Sequence, residues 1–216
     1  MKLQKLGGFA ALAAMCLAIV YLFLTTAVSF ESSDLATIMA AVSTAPAVFK
    51  ALNYLVIGCY FLLLILIVAL YERMKADAPT LARIMLIAGT VGSAMQIAEA
   101  MIHLKVIEII IPLQDLSAYR ACVATASGIG SLGLHACGWS ALLIGCAILK
   151  TRLFPKILGW LYAAGGIAAI LGFISPFPKL GDIIHSLVMP ATILIGIALL
   201  RSKLPQPASR EMAASR

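Results

Sequence analysis

Six times along this chain the sequence runs for the length of a bilayer crossing with scarcely a charge, over residues 7–28, 51–71, 81–103, 123–149, 155–174 and 183–200. A helix rises about 1.5 Å per residue, so about 20 apolar residues cross a hydrocarbon core of roughly 30 Å. In hydrocarbon the backbone must satisfy its own polar groups, which a single segment achieves only as a helix. The fold class read from this pattern is all-α: a polytopic membrane protein, a six-transmembrane-helix bundle. Composition agrees, because 62% of the 216 residues are hydrophobic and 12% charged, with mean hydropathy +1.05. A soluble domain of that size cannot bury so much apolar surface. The connections are short, so residues 1–203 read as one transmembrane domain. Residues 204–216 are polar and aperiodic and read as a disordered cytoplasmic tail.

Charge placement gives the topology. Of the 16 lysines and arginines, only Lys50, Lys105, Arg120 and Lys179 fall on one side of the six runs, leaving twelve on the other. The positive-inside rule then puts both termini in the cytoplasm of a bacterial inner membrane. The net charge of +7 is thus a topology signal and not a sign of a nucleic-acid partner; the partners implied are membrane lipids. The first run ends at Ala27-Val28-Ser29, which resembles a processing site. It is longer than the apolar core of a signal peptide, about 7–15 residues, and reads as an uncleaved helix. Between the first two runs, Asp34 before LATIMAAVSTA and Pro46 after it predict a short capped helix at the outer interface. After the third run, Lys105 and Glu108 break the apolar pattern before Pro112, and the chain is expected to leave the core as an outer helical extension.

The third run carries the chemistry. In GTVGSAMQIAEAMIH, a step of 100° per residue puts Gly89, Gly92, Gln96, Glu99 and His103 on one face. Polar atoms in hydrocarbon need partners, so this face should point into protein, and an ionisable group at such depth is a candidate for function. The fourth run has its own small-residue arc, Ala124, Gly128, Ser131, His135 and Gly138, and small residues let helices approach closely. A hairpin neighbour is the default partner, so Glu99 and His135 are expected to face each other. Gln96, His103 and His185 extend the polar cluster as ligand-binding candidates. Glu99 and His135 are the candidates for acid–base catalysis.

Three histidines and one glutamate at these positions match no metal or haem spacing: there is no HExxH, no CxxCH and no paired histidines on two helices. No metal site and no cofactor is therefore predicted. The five cysteines, Cys16, Cys59, Cys122, Cys137 and Cys146, form no CxxC pair and read as small packing residues, with Cys122 closest to the outer surface. Trp160 and Tyr162, near the inner end of the fifth run, fit an interfacial aromatic belt. Three functional classes stay open: a protein binding a small or lipid-like apolar ligand in an outward-opening polar pocket, a membrane enzyme doing acid–base chemistry on a lipid-soluble substrate, and a metal- or haem-binding membrane protein.

LHACGWSALLIGCAILKTRLFPKILGWLYAAGGI, spanning 134–167, resembles the hairpin of the domain of unknown function 4386 family of small bacterial multipass proteins. In that family a histidine starts a helix, and a basic turn with Pro-basic-Ile-Leu-Gly leads into a glycine-rich helix. The similarity extends over SSDLATIMAAVSTAPAVFKALNYL as well. It implies a six-helix inner-membrane protein with His135 at a family position, and it implies no activity. The chain departs from the family's pattern in its last helix, where PATILIGIALL has no acidic residue.

Overall fold

The computed structural model of the protein describes residues 2–27, 34–174 and 180–201, with side chains up to 172 and from 188 onward in the last two helices. The tail beyond 201 and the outer Lys179 lie outside the described residues. The elements are α1 (Lys2–Ala27), α2 (Leu35–Thr44), α3 (Pro46–Met74), α4 (Pro79–Lys105), a π-helical turn (Val106–Ile110), α5 (Ile111–Leu113), α6 (Leu116–Thr151), α7 (Lys156–Ile174) and α8 (Leu180–Arg201). No strand occurs among the described residues. On length and composition, α1, α3 and α6 are able to cross a membrane, over Leu3–Thr26, Pro46–Met74 and Leu116–Thr151. Phe9, Phe23, Phe61 and Ile87 stand exposed on the outside of the assembly, the surface of a helical membrane protein.

Local sequence sets the helix ends. Asp34 caps α2 by accepting from the amides of Ala36 and Thr37. Asp115 does the same for α6 through Ser117 and Ala118 at 3.0 Å. Pro46 and Pro79 open α3 and α4, where a missing N–H costs nothing. Pro112 cannot donate to the carbonyl one turn back, and its ring crowds that carbonyl. The ladder widens just before it: the Ile111 amide bonds Val106 in the π-turn. The extension expected after His103 is this turn plus α5. Helix α6 begins at Leu116, earlier than the apolar run at 123. Its 36 residues measure about 54 Å, longer than a hydrocarbon core of roughly 30 Å.

The long helices form a ring in chain order, each packed on its neighbours in sequence, and α1 against α8 closes it. The chain termini of the ring share one end, called here the terminal end; α2 and the π-turn cap the other. The core in the terminal half includes Leu70, Met74, Met85, Ile148, Ile195 and Leu199, all fully buried. A smaller cluster, Met39, Val42, Val106, Ile107, Ile111 and Tyr119, fastens α2 over the other end. Trp160 faces outward as the aromatic-belt reading requires, but Tyr162 does not. Two residues on, it turns inward, is 3% exposed, and its hydroxyl pairs with Thr192 at 2.6 Å. A 200° step puts the two rings on opposite faces of α7.

A close seam joins α4 to α6. A Cβ placed on Gly92 would lie 2.7 Å from the Cys137 amide nitrogen and 2.9 Å from the Gly133 carbonyl oxygen. Neither backbone can yield without separating the helices. Gly128, by contrast, has nothing within 4 Å of such a Cβ. Gly92→Leu is therefore expected to cost about 1–3 kcal/mol of stability, and Gly128→Ala to stay within about 0.5 kcal/mol of wild type. Thermal unfolding in detergent monitored by circular dichroism checks both; an undisturbed Gly92→Leu protein would mean the seam is looser than described.

Candidate functional site

Beneath α2 a cavity of about 240 Å³ lies between α2, α3, α4, the π-turn and α6, and its lining includes Ile38 and Val42 of α2, Asn53 of α3, His103 of α4, and Tyr119 and Val123 of α6. The wall is mostly hydrocarbon. Its polar side chains are Asn53, whose amide nitrogen donates to the Phe49 carbonyl at 2.8 Å, His103 and Tyr119.

One turn below His103 on the same face lies Glu99, with its Oε1 4.0 Å from His103 Nε2. The side chains of His103 and Glu99 keep 32% and 26% exposure, so neither is sealed in the packing. The Glu99 carboxylate reaches across to α6 and rests against Gly130, at the place a side chain there would fill. Gln96 is fixed beside it, donating from Nε2 to the Gly130 carbonyl oxygen at 2.6 Å. A single glycine thus receives two polar side chains from α4: its carbonyl accepts one and its bare Cα makes room for the other. Tyr21 of α1 and Tyr60 of α3 lie within long-range electrostatic reach of the carboxylate. Tyr60 stands two turns below Asn53 on the same face of α3, about 10 Å deeper.

Further down, the polar character ends. Cys137 packs against Gly92, and buried Ser140 donates to the Met85 carbonyl at 3.1 Å. From there the apolar core of the terminal half fills the ring. The cavity, roofed by α2, thus has His103 in its wall and Glu99 one turn beneath, and the packed core of the terminal half lies below both. At the rim, Lys105 and Lys50 both approach Glu108, at 2.8 and 3.9 Å, and the bond from Lys105 holds the Glu108 carboxyl below its usual range.

The model of the family described as Domain of unknown function (DUF4386) matches residues 6–201. The chain belongs to the DUF4386 family. No curated protein and no solved structure matches it.

In this DUF4386 protein the structure brings Gln96, Glu99 and His103 together as their shared stripe requires. It does not bring His135 to them. His135 accepts from the Trp139 indole nitrogen at 3.1 Å, and among the described residues no hydrogen bond or ion pair joins it to Glu99. The reason is that α6 carries two arcs of small residues. Gly130, Gly133, Cys137 and Ser140 meet α4, whereas the arc containing Gly138 and Gly145 meets α7, at Ala169 and Ala163. His135 stands with the second arc, about half a revolution from the first. His185 is part of α8, but its side chain lies outside the described residues. All five cysteines are free, and Cys59 donates to the Ala14 carbonyl at 3.5 Å, a packing role. Sequence reasoning missed Tyr21 and the receiving function of Gly130, since both depend on a neighbouring helix. Trp139 was legible as the residue four after His135.

Two outcomes follow for the DUF4386 site. Gly130→Ala pushes the Glu99 carboxylate out of its notch and destabilises the protein by about 1–3 kcal/mol, while Glu99→Ala relieves that clash. A double-mutant cycle on unfolding free energies should give a coupling of at least about 1 kcal/mol; additive losses would place Glu99 elsewhere. The roof is pH-sensitive at its exposed cap. The side-chain hydrogen bond from Thr37, ahead of the backbone bonds from Thr37 and Ala36, holds the Asp34 carboxyl below its ordinary value. A depressed folded value means that the stabilisation is complete above the ordinary carboxylate pKa and disappears as pH falls through the folded one. Hydrogen exchange at Ala36 and Thr37, corrected for intrinsic rates, should accelerate over that acidic window in wild type and show no such step in Asp34→Asn.

Proposed function

We propose that this protein crosses the bacterial inner membrane six times, with both termini in the cytoplasm, and holds a small lipid-like ligand in the recess beneath α2, which opens to the outer side. Six long helices in a closed ring, with the charges at its ends, support the topology. The terminal end carries Lys5, Arg73, Lys75, Arg83, Lys150, Arg152, Lys156 and Arg201 with Glu72 and Asp77, while at the α2 end Lys50, Lys105 and Arg120 are accompanied by Asp34, Glu108 and Asp115. The observation that carries the ligand reading is the cavity itself: a hydrocarbon-lined chamber with His103 in its wall and Glu99 4.0 Å away. Apolar pockets with a few convergent polar groups are the usual form of a ligand site. A recess closed from below suits holding a molecule better than conducting one.

The His103–Glu99 pair favours one second reading, acid–base chemistry on a lipid-soluble substrate. In it, His103 exchanges the proton and Glu99 orients the imidazole, so the histidine partner of Glu99 is His103 and not His135. Among the described residues no three His, Cys, Asp or Glu side chains gather into a group able to hold a metal ion.

Single cysteines introduced into a variant with the five native ones replaced test the topology. Membrane-impermeant maleimide on intact cells should label positions 50 and 179 and leave 152 and 203 unlabelled; labelling at 152 overturns the six-span arrangement. For the ligand, native mass spectrometry of gently purified protein should show an apolar adduct that Val123→Trp, which fills the cavity, removes. An adduct retained in that variant sits elsewhere.

A further inference from the structure

Resting on the reading of the recess as a ligand site, we infer that it selects amphiphiles with a cationic head, an alkylammonium or amine, and seats that head against Glu99. The charge balance of the recess argues for this. Among the described residues, the salt-bridge partner of Glu99 is His103 alone, at 4.0 Å; no lysine or arginine reaches it. The nearest basic residues above, Lys50 and Lys105, are drawn to Glu108 at the rim, at 3.9 and 2.8 Å. A carboxylate at this depth without a fixed cation is costly, and a bound cation offsets that cost where a neutral or anionic head cannot.

The surroundings of the carboxylate suit the same class. The carboxylate is held in place: it occupies the notch left by Gly130, with Gln96 bonded to the Gly130 carbonyl at 2.6 Å. A pre-positioned acceptor loses little freedom when the head arrives. Above it, the hydrocarbon wall formed by Ile38, Val42 and Val123 receives a short alkyl chain, with His103 lying between chain and head.

The test uses the full-length protein in maltoside micelles, whose head group is neutral, titrated calorimetrically against protein-free micelles. The probes share one chain: octyltrimethylammonium, octyl sulfate and octanol. The ammonium should bind at least about tenfold more tightly than the other two, a difference of about 1.4 kcal/mol. Glu99→Gln should bring it to the level of octanol, while Val123→Trp should weaken all three. Equal binding of the three probes, or a preference for ammonium that survives Glu99→Gln, overturns the cation inference and leaves the ligand pocket standing. Binding of none of them above protein-free micelles removes the pocket reading and this inference with it. Should Glu99→Gln fail to fold, the comparison of the three probes on the unaltered protein still decides.

Discussion

Close contact between the backbones of α4 and α6 is the constraint on which the rest of the site depends. Gly92 against the Cys137 amide, and Gly130 and Gly133 against Glu99 and Gln96, bring the two helices nearer than side chains at those positions would permit. In an apolar solvent no hydrophobic force pulls helices together, so contact area at short range and interhelical hydrogen bonds carry the association. The seam supplies both. Ser140 bonds the Met85 carbonyl near its lower end, and Gln96 bonds the Gly130 carbonyl near its upper end. The glycines that let the helices approach also make space for the polar groups, so the adhesive surface and the candidate site share residues.

The remainder of the ring decides what this polar seam opens onto. Packing is tight in the terminal half, where Leu70, Met85, Ile148 and Ile195 interdigitate. It loosens toward α2, where a cavity remains. The roof is a separate small cluster in which α2 lies on the π-turn and on the start of α6. Each part of that roof has a local cause: Asp34 starts α2, Pro112 forces the widened turn, and Asp115 starts α6. A dense half below and a lightly packed half beneath α2 leave a cavity at the α2 end. That shape, and not any catalytic motif, directs the functional reading toward ligand binding.

Much of this was legible in the sequence because it depends on one helix at a time. The apolar runs, the caps, the proline starts and the alignment of Gln96, Glu99 and His103 are consequences of a 100° step and of backbone groups needing partners, and no neighbour alters them. Proline at 112 likewise announces a disturbance in its own ladder. The early start of α6 was obscured because Ser117, Tyr119 and Arg120 interrupt the apolar pattern there, and hydropathy marks an apolar run and not where a helix begins.

What only the tertiary structure decided is which faces meet. Helix α6 offers two arcs of small residues and has two close neighbours, and periodicity defines both arcs without assigning either. The structure gives Gly130 and Gly133 to α4 and the Gly138 arc to α7, which turns His135 toward Trp139 and away from Glu99. It likewise sends Tyr162 inward to Thr192, and it sets Gly130 of α6 against the Glu99 carboxylate. A sequence determines a helix's faces through local geometry. The partner of each face is fixed by how the whole ring closes, a property of all the helices packed at once.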